Sequence, residues 1–258
     1  MINTVILMSG SSQAFKDAGY AYPKNLIEVH GVSLLQRVLE QIRPLDALGS
    51  RSICVLRHDE NIKHHTGAVI RLICPGAITV ELASETAGAA CSALLAVEHI
   101  NNDEPLLIIN GDQLLDIDLV AAVREFMDKK LDGGIVVFED IHPRWSFVKC
   151  DAEGHVIETA EKCPISRLAT AGFYYFRTGH AFIAAATEMI RKDAQVNGLF
   201  YVCPAYNEMI LRRSRIGVHL IPRKAYHSLA TPADVQAYEA GLADREGAAL
   251  HDRPYAGR

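Results

Sequence analysis

The stretch that decides the fold is Thr4-Val-Ile-Leu-Met8 with the residues after it, Ser9-Gly10-Ser11-Ser12. The first five residues form a short apolar run, which is typical of a strand buried in a parallel sheet. No strand or helix pattern then appears until Pro23, and connections of about fifteen residues are uncommon in α/β units and usually functional. Ligands of open α/β sheets bind at the carboxyl ends of strands, so this loop is a candidate binding site, with a mobile surface loop as the alternative.

Strand and helix patterns alternate through the first two thirds of the chain. Apolar runs predict further strands at Ser52–Leu56, Ile78–Leu82 and Pro105–Ile109. Helical spacing of apolar or small residues predicts helices at Ser33–Ile42, Gly88–Ile100 and Asp118–Lys130. This order indicates a mainly parallel sheet with right-handed crossovers and helices on both faces.

The pattern changes after residue 130. Four strand-like segments follow one another, at Gly134–Glu139, Ser146–Asp151, His155–Ala160 and Ala169–Arg177. Later segments are a strand at Gly217–Pro222 and helices at Gly179–Asp193, Pro204–Arg213 and Pro232–Leu242. The run of strands predicts a smaller, antiparallel, substrate-covering part of the same α/β fold, followed by a frayed tail from residue 244.

Composition excludes several classes of protein. The 258 residues carry a net charge of −5, with 49% apolar and 22% charged residues, which is ordinary for a globular chain. A nucleic-acid binder would normally be basic, and no segment approaches the ~18 apolar residues of a membrane span. The six cysteines form no CxxC motif, and the start Met1–Thr4 lacks the basic region of a signal peptide. We therefore expect reduced thiols and a cytoplasmic location.

Two polar motifs join the first loop as candidates. Asn110-Gly111-Asp112 follows a buried strand, where a carboxylate is well placed to hold Mg²⁺ together with substrate phosphates. Glu161-Lys162 ends another strand and offers an acceptor for sugar hydroxyls beside a cation for a phosphate. Each has a simpler interpretation, a turn for the first and a solvated ion pair for the second.

The motifs and their order resemble the sugar-phosphate nucleotidyltransferases. The resemblance runs from about residue 3 to about residue 240, over these segments: Val5–Gly10, Pro23–Val29, Gly31–Leu35, Glu85–Ala89, Asn110–Asp112, Glu161–Lys162, Ala169–Tyr174 and Thr231–Asp234. It implies a Rossmann-like nucleotidyltransferase fold, related to the GT-A fold. It also implies a reaction that joins a nucleoside triphosphate and a sugar 1-phosphate into a nucleotide sugar and pyrophosphate, as in bacterial capsule or surface-polysaccharide synthesis.

The resemblance assigns roles to individual residues. Lys24 and Asp112 would be catalytic, with Asp112 binding Mg²⁺ and Lys24 pairing with phosphates. Glu161, Lys162 and Gly172 would line the sugar-phosphate pocket. The nucleotide would be bound by Ser9, Gly10, Ser11, Ser12, Lys24, Thr86, Gly88 and Ala89. The expected domain covers residues 1–243, with a nucleotide-binding half at about 1–130 and a sugar-phosphate-binding half at about 131–243.

Two departures from the family pattern concern charge. Ala14 stands where family members usually carry an arginine, with Lys16 as a nearby substitute, and Ser228 stands where many carry a second metal-binding aspartate. The remaining candidates for that second position are His227, Asp234 and Asp116, although Asp234 is more typical of a helix start. The sequence leaves open whether the absence of this arginine and this aspartate lowers turnover or abolishes it.

Two other functions compete with an active nucleotidyltransferase. A GT-A-like glycosyltransferase would use a preformed nucleotide sugar, but it would require a DxD-type motif that Asn110-Gly111-Asp112 does not supply. A non-catalytic binding homologue is favoured by Ala14 and Ser228. The expected partners are a nucleoside triphosphate and a phosphorylated small molecule, without nucleic acid. The nucleobase, the acceptor and the formation of a homo-oligomer are left open.

Overall fold

Strands and helices follow the predicted order along most of the chain. The computed structural model describes the backbone of residues 1–251 and the side chains of residues 1–243. The strands are β1 Ile2–Leu7, β2 Glu28–Val29, β3 Val32–Ser33, β4 Ser50–Arg57, β5 Ile78–Leu82, β6 Leu106–Asn110, β7 Gln113–Leu115, β8 Gly133–Glu139, β9 Ser146–Cys150, β10 Val156–Glu161, β11 Leu168–Phe176, β12 Ile216–Ile221 and β13 Tyr226–Ser228. The α-helices are α1 Gln13–Asp17, α2 Leu34–Ile42, α3 His58–His64, α4 Thr66–Ile73, α5 Ala89–Leu94, α6 Val97–Ile100, α7 Leu119–Asp128, α8 Gly179–Arg191, α9 Ala205–Leu211 and α10 Pro232–His251.

One sheet of nine strands organises these elements. Its main order is β12-β8-β11-β6-β1-β4-β5, and the β9–β10 hairpin pairs with the first residues of β11. Strands β6, β1, β4 and β5 run parallel to one another, whereas β11 runs antiparallel to both β6 and β8. The chain leaves β1 toward β4 on one side and later returns to β6 on the other. The gap between β1 and β6 is therefore a topological switch point, the usual ligand site of such sheets.

The core lies on both faces of this sheet, as the parallel strands predict. Val5 and Ile6 are adjacent in β1 and fully buried, yet they belong to different apolar clusters because successive side chains point to opposite faces. Leu35 and Val123 pack on the face of Ile6, from α2 and α7. Helices α5, α8 and α9 cover the other face. A strand buried on both faces reads as a continuous apolar run, which explains the pattern of Thr4–Met8.

Two helices begin at the capping residues from which the sequence predicted their starts. The Ser33 hydroxyl accepts a hydrogen bond from Gln36 N at 3.2 Å at the start of α2. The Asp118 carboxylate does the same for Ala121 N at 2.9 Å at the start of α7. These are ordinary N-caps, which satisfy amide groups that the first helical turn leaves unpaired.

Three predictions about elements were wrong. The loop after β1 contains a helix, α1, whose single buried residue Phe15 gives no apolar period. The helix predicted at Gly88–Ile100 is two helices, because i→i+3 hydrogen bonds at Leu95 N and Ala96 N end α5. Helix α10 runs to His251, so the backbone is helical beyond residue 243, where a frayed tail was predicted. Residues 252–258 of that tail lie outside the described residues.

The cysteines are unpaired, as expected, but not uniformly buried. All six are free thiols; Cys54 and Cys203 are buried, Cys163 is exposed, and the other three are half-buried. No helix in the described part of the chain is both long and apolar enough to cross a membrane.

Candidate active site

A cavity of about 470 Å³ opens at the carboxyl ends of β1, β4, β5 and β6. The loops after β1 and β6 meet at its floor, and residues at the start of β9 and the end of β10 contribute to its opposite wall. Most of the predicted site residues line it, namely Ser9, Gly10, Ser11, Thr86, Gly88, Ala89, Asp112, Glu161 and Gly172. Motifs that are far apart in sequence therefore come together at one switch point.

An ion pair with one buried partner, Lys24, lies at the floor of the cavity. Lys24 Nζ donates to Asp112 Oδ2 at 2.7 Å, and the lysine side chain is 6% exposed against 27% for the aspartate. The ammonium lies against Gly10, where an added β-carbon would come within 3.0 Å of Nζ. Asn25 Nδ2 donates to Met8 O at 2.8 Å and anchors the segment around Lys24 to the end of β1. Lys24 thus joins the β1 loop to the β6 loop.

Ser12 lies behind the cavity wall instead of in its lining. Its hydroxyl donates to Glu60 Oε1 at 2.8 Å and accepts from Lys24 N at 3.1 Å, and both of the other side chains are buried. The structure therefore uses this side chain to fix the position of Lys24. Ala14 and Lys16 are exposed on α1 and are not among the residues that line the cavity.

Gly172 lies at an irregularity of β11 that shapes the cavity. The register of β11 against β8 shifts between Thr170 and Tyr174, and Gly172 has φ +59°. A β-carbon there would come within 2.3 Å of Gln113 Oε1, and the Gln113 amide donates to Ala171 O. Only glycine combines this backbone conformation with so close an approach.

Glu161 is a buried carboxylate on the acceptor side of the cavity. It is 8% exposed, and its Oε2 accepts a hydrogen bond from the Ser146 hydroxyl. Burial raises the pKa of Glu161, while the Ser146 hydrogen bond and the charge of Lys162 oppose the rise. A carboxylate held in this way can accept hydrogen bonds from hydroxyl groups of a ligand.

Lys162 lies at the rim of the cavity, outside its lining. Its Nζ donates to the Tyr201 hydroxyl at 2.9 Å, and this hydrogen bond is the main cause that raises the lysine pKa. Tyr201 itself lines the cavity, whereas Lys162 is an exposed residue outside the lining. The predicted pair Glu161-Lys162 is therefore one buried and one exposed group.

Gly88 joins the loop after β5 to a loop of the second half. It has φ +115°, and a β-carbon would come within 2.5 Å of Phe200 O. Phe200 N donates to Ala87 O at 2.7 Å, and Ala90 N donates to Phe200 O at 3.0 Å. Thr86 closes the same loop with a hydrogen bond to Gly88 O at 3.1 Å. The close approach of the two backbones requires glycine at this position.

The carboxylates near the cavity fit a metal ion shared with a substrate better than a resident one. No group of three His, Cys, Asp or Glu side chains that could hold a metal occurs among the described residues. Asp112 is the partly exposed carboxylate at the switch point. One carboxylate combined with substrate phosphates is a normal Mg²⁺ environment, so the residues present fit this ion.

The remaining candidates for a second metal ligand do not line the cavity. Ser228 lines it, and its hydroxyl donates to Asp234 Oδ2 at 3.0 Å. Asp234 also accepts from Thr231 N and Oγ1, so it stabilises the start of α10. His227 alternates with Ser228 along β13 and bonds Asp116 at 2.9 Å, away from the cavity.

The cavity lining includes two arginines that the sequence patterns did not indicate. Arg57 ends β4, and Arg144 lies 3.9 Å over the Trp145 ring with Nη1 at 3.4 Å from Asp234. Trp145 both lines the cavity and packs edge-on against Tyr226 at 5.3 Å. The position of Arg57 directly after the strand-like Ser52–Leu56 is the only signal that the sequence offered for it.

Comparison with known proteins identifies the family. Residues 3–209 match the family described as Nucleotidyl transferase. The chain belongs to this family. A nucleoside-diphosphate-sugar pyrophosphorylase from Vibrio cholerae is 26% identical, with a TM-score of 0.79 over 92% of this chain and 99% of that one. A UDP-glucose pyrophosphorylase bound to UDP-glucose shares the fold at 16% identity, with a TM-score of 0.73 over 95% and 100%.

Curated relatives from archaea agree with this assignment. The UTP–glucose-1-phosphate uridylyltransferase AglF of Haloferax volcanii is 24% identical over 68% of this chain and 72% of its own length. The bifunctional protein GlmU of Methanocaldococcus jannaschii is 28% identical over 68% of this chain and 40% of its own length. The predicted family, fold class and function as a sugar-phosphate nucleotidyltransferase are thus confirmed, and the chain is an enzyme of that class.

Proposed function

We propose that the nucleotide binds on the β1 and β5 side of the cavity and the sugar 1-phosphate on the β9 and β10 side. The loops Ser9–Ser11 and Thr86–Ala89 offer backbone groups for phosphates and base on the first side. Glu161, Lys162 and Gly172 border the second side, where a carboxylate and a cation suit sugar hydroxyls and a phosphate. The relatives favour UTP and glucose 1-phosphate as the first pair to test.

In the reaction, a phosphate oxygen of the sugar 1-phosphate attacks the α-phosphorus of the nucleoside triphosphate. A new P–O bond forms as the bond from the α-phosphorus to the bridging oxygen breaks, and pyrophosphate leaves with that oxygen. Positioning and charge neutralisation account for most of such a rate enhancement. Lys24 would neutralise phosphate charge and hold Asp112 in place. Mg²⁺, which Asp112 would hold, supplies further neutralisation when bound.

The observation that carries this proposal is the Lys24–Asp112 pair at the switch point. The pair joins the loop after β1 to the loop after β6, and both loops open into the same cavity. A ligand that spans the switch point contacts both loops at once. This is the arrangement required when a triphosphate and an acceptor meet at one phosphorus atom.

Pyrophosphate release tests the proposal. The purified chain is incubated with Mg²⁺, each of five nucleoside triphosphates in turn and a panel of sugar 1-phosphates. We expect one pair to release pyrophosphate, and Asp112→Asn to reduce the rate by about 10² to 10³, the range for one lost charge-stabilising group. Asp116→Asn is the matched control, because Asp116 is four residues away and faces His227 outside the cavity.

Two outcomes would contradict the proposal. Absence of pyrophosphate from every pair would leave a binding homologue or a transferase that uses a preformed nucleotide sugar. A rate for Asp112→Asn equal to that of Asp116→Asn would place the reaction elsewhere.

We further propose a cytoplasmic reaction that feeds surface-polysaccharide or capsule synthesis. The six free thiols suit a reducing compartment, and an activated sugar is the donor that a polysaccharide-forming transferase consumes. Deletion of the gene should deplete the nucleotide sugar from cell extracts and reduce surface polysaccharide, and unchanged levels of both would contradict this role.

A further inference from the structure

Arg57 stands beside the loop that is proposed to hold phosphates. In the parallel pairing of β1 with β4, Leu7 lies opposite Val55, and the ladder continues as Met8 N donates to Val55 O at 2.8 Å. Ser9 lies two residues beyond Leu7, in the loop that follows β1, and Arg57 lies two residues beyond Val55, at the end of β4. Both line the cavity. Neighbouring strands are about 4.8 Å apart, so the arginine side chain starts next to the β1 loop.

The guanidinium of Arg57 is held on two sides. Its Nε and Nη2 bond the two oxygens of Asp59 at 3.0 and 3.1 Å, and its Nη1 bonds Glu85 Oε1 at 3.0 Å. The Asp59 contact is bidentate and local in sequence, because the two residues are only two positions apart. The Glu85 contact is a single hydrogen bond, which Arg57 donates to a carboxylate that is 76% exposed. The Glu85 bond is therefore the one that a ligand can replace most easily.

The cavity lining has too few cations for a polyphosphate. Arg57 and Arg144 are the basic side chains of the lining, which also carries the carboxylates of Glu85, Asp112 and Glu161. A nucleoside triphosphate brings several more negative charges at neutral pH. Arg144 is engaged on the opposite wall, over Trp145 and near Asp234, which leaves Arg57 as the lining cation on the β1 side.

We propose that Arg57 binds the polyphosphate of the nucleoside triphosphate and that Glu85 is the counter-ion displaced when the substrate binds. This inference rests on the proposed function, which it extends by two residues. Asp59 is a positioning residue, because it holds the guanidinium fork without contacting the substrate. The arrangement makes Glu85 a competitor of the phosphates, so removal of its charge and removal of the Arg57 charge have opposite effects on affinity.

Calorimetric titration with Mg²⁺ and UTP, CTP, dTTP, ATP or GTP tests the inference, with the matching monophosphate as the second ligand. We expect Arg57→Gln to weaken the tightest triphosphate by about tenfold to a hundredfold, the range for a lost charge-assisted hydrogen bond, and the monophosphate by less than about twofold. Glu85→Gln should tighten the triphosphate by about threefold. Arg177→Gln is the matched control, because Arg177 pairs with the Asp132 carboxylate just after β11, a strand that runs antiparallel to β6 and therefore ends away from the cavity.

The outcomes separate this inference from the proposed function. If the wild-type chain binds no triphosphate, both are overturned. If it binds one and Arg57→Gln binds equally well, or loses triphosphate and monophosphate alike, only the inference is overturned. Weaker triphosphate binding by Glu85→Gln overturns its role as a counter-ion. Arg57→Lys keeps the charge without the fork and should lie between the wild type and Arg57→Gln, which separates a binding defect from misfolding.

Discussion

Lys24 is the more buried member of the Lys24–Asp112 ion pair, so removal of one partner should not cost the same stability as removal of the other. The Lys24 side chain is 6% exposed and would lose the negative charge of its partner in Asp112→Asn. Breaking a fully buried pair costs about 3–5 kcal/mol. Asp112 is 27% exposed and asparagine retains an oxygen that can accept from Nζ, so we expect about 2 kcal/mol.

Removal of the Lys24 charge should lower the free energy of unfolding by less than removal of the Asp112 charge. Lys24→Met removes the ammonium but keeps the apolar stem, and Asp112 can then be solvated through the cavity that it lines. We expect about 1 kcal/mol for this variant. At roughly 2–4 °C per kcal/mol for a chain of this size, the melting temperature should fall by about 4–8 °C in Asp112→Asn and by about half as much in Lys24→Met.

Urea unfolding of both single variants and of the double variant measures the coupling between the two side chains. The double variant has no uncompensated buried charge, so its loss should be smaller than the sum of the single losses by about 1 kcal/mol. Additive losses, or a greater loss in Lys24→Met than in Asp112→Asn, would refute the reasoning from burial. Circular dichroism of each variant before unfolding provides the check on folding.

Three further predictions concern other buried or strained groups. Gly172→Ala should lower the free energy of unfolding by about 2 kcal/mol more than Gly154→Ala, since both glycines have positive φ but only Gly172 lacks room for a β-carbon; equal losses in urea unfolding would argue against crowding. Because burial raises the pKa of Glu161 in the folded state, its ionisation destabilises the fold as the pH rises from 4.5. Glu161→Gln should therefore raise the melting temperature more at neutral pH than at pH 4.5, and the opposite order would count against the pKa shift. Burial raises the pKa of Cys54 to about 12 whereas Cys163 is exposed, so a thiol reagent at mildly basic pH should label Cys163 and spare Cys54 until the chain unfolds; mass spectrometry of the labelled peptides decides.

The elements that sequence patterns predicted are those with long apolar signals. Leu106–Asn110 is a buried strand and reads as one, because both of its faces are covered. Helix α3 at His58–His64 gave no signal, since Glu60 is its only buried residue and no apolar stripe exists. The strands β7 and β13 have three residues each, which is too short for a period to be recognised. Length and apolar content therefore decided what could be predicted.

Site residues could be predicted from the sequence where they directly follow a buried parallel strand. Ser9 and Asp112 follow buried parallel strands, and such strands end at one edge of the sheet. The contact of Ser12 with Glu60 joins residues 48 positions apart, and that of Arg57 with Glu85 joins residues 28 apart. Those partners depend on strand register and side-chain conformation, neither of which a single sequence reveals. These side-chain contacts around the cavity could therefore be identified only from the structure.

The main-chain connection at Gly88 has a consequence for changing the acceptor. Both hydrogen bonds between Phe200 and the loop after β5 use backbone atoms, so they persist whatever side chains the 199–202 segment carries. Leu199 and Tyr201 face the cavity from that segment. A library that varies these two side chains would keep the attachment of the segment while altering the surface offered to a sugar. The attachment of the 199–202 segment and the choice of acceptor can thus be changed independently in this enzyme. Gly88 is the exception, because any side chain there would collide with Phe200.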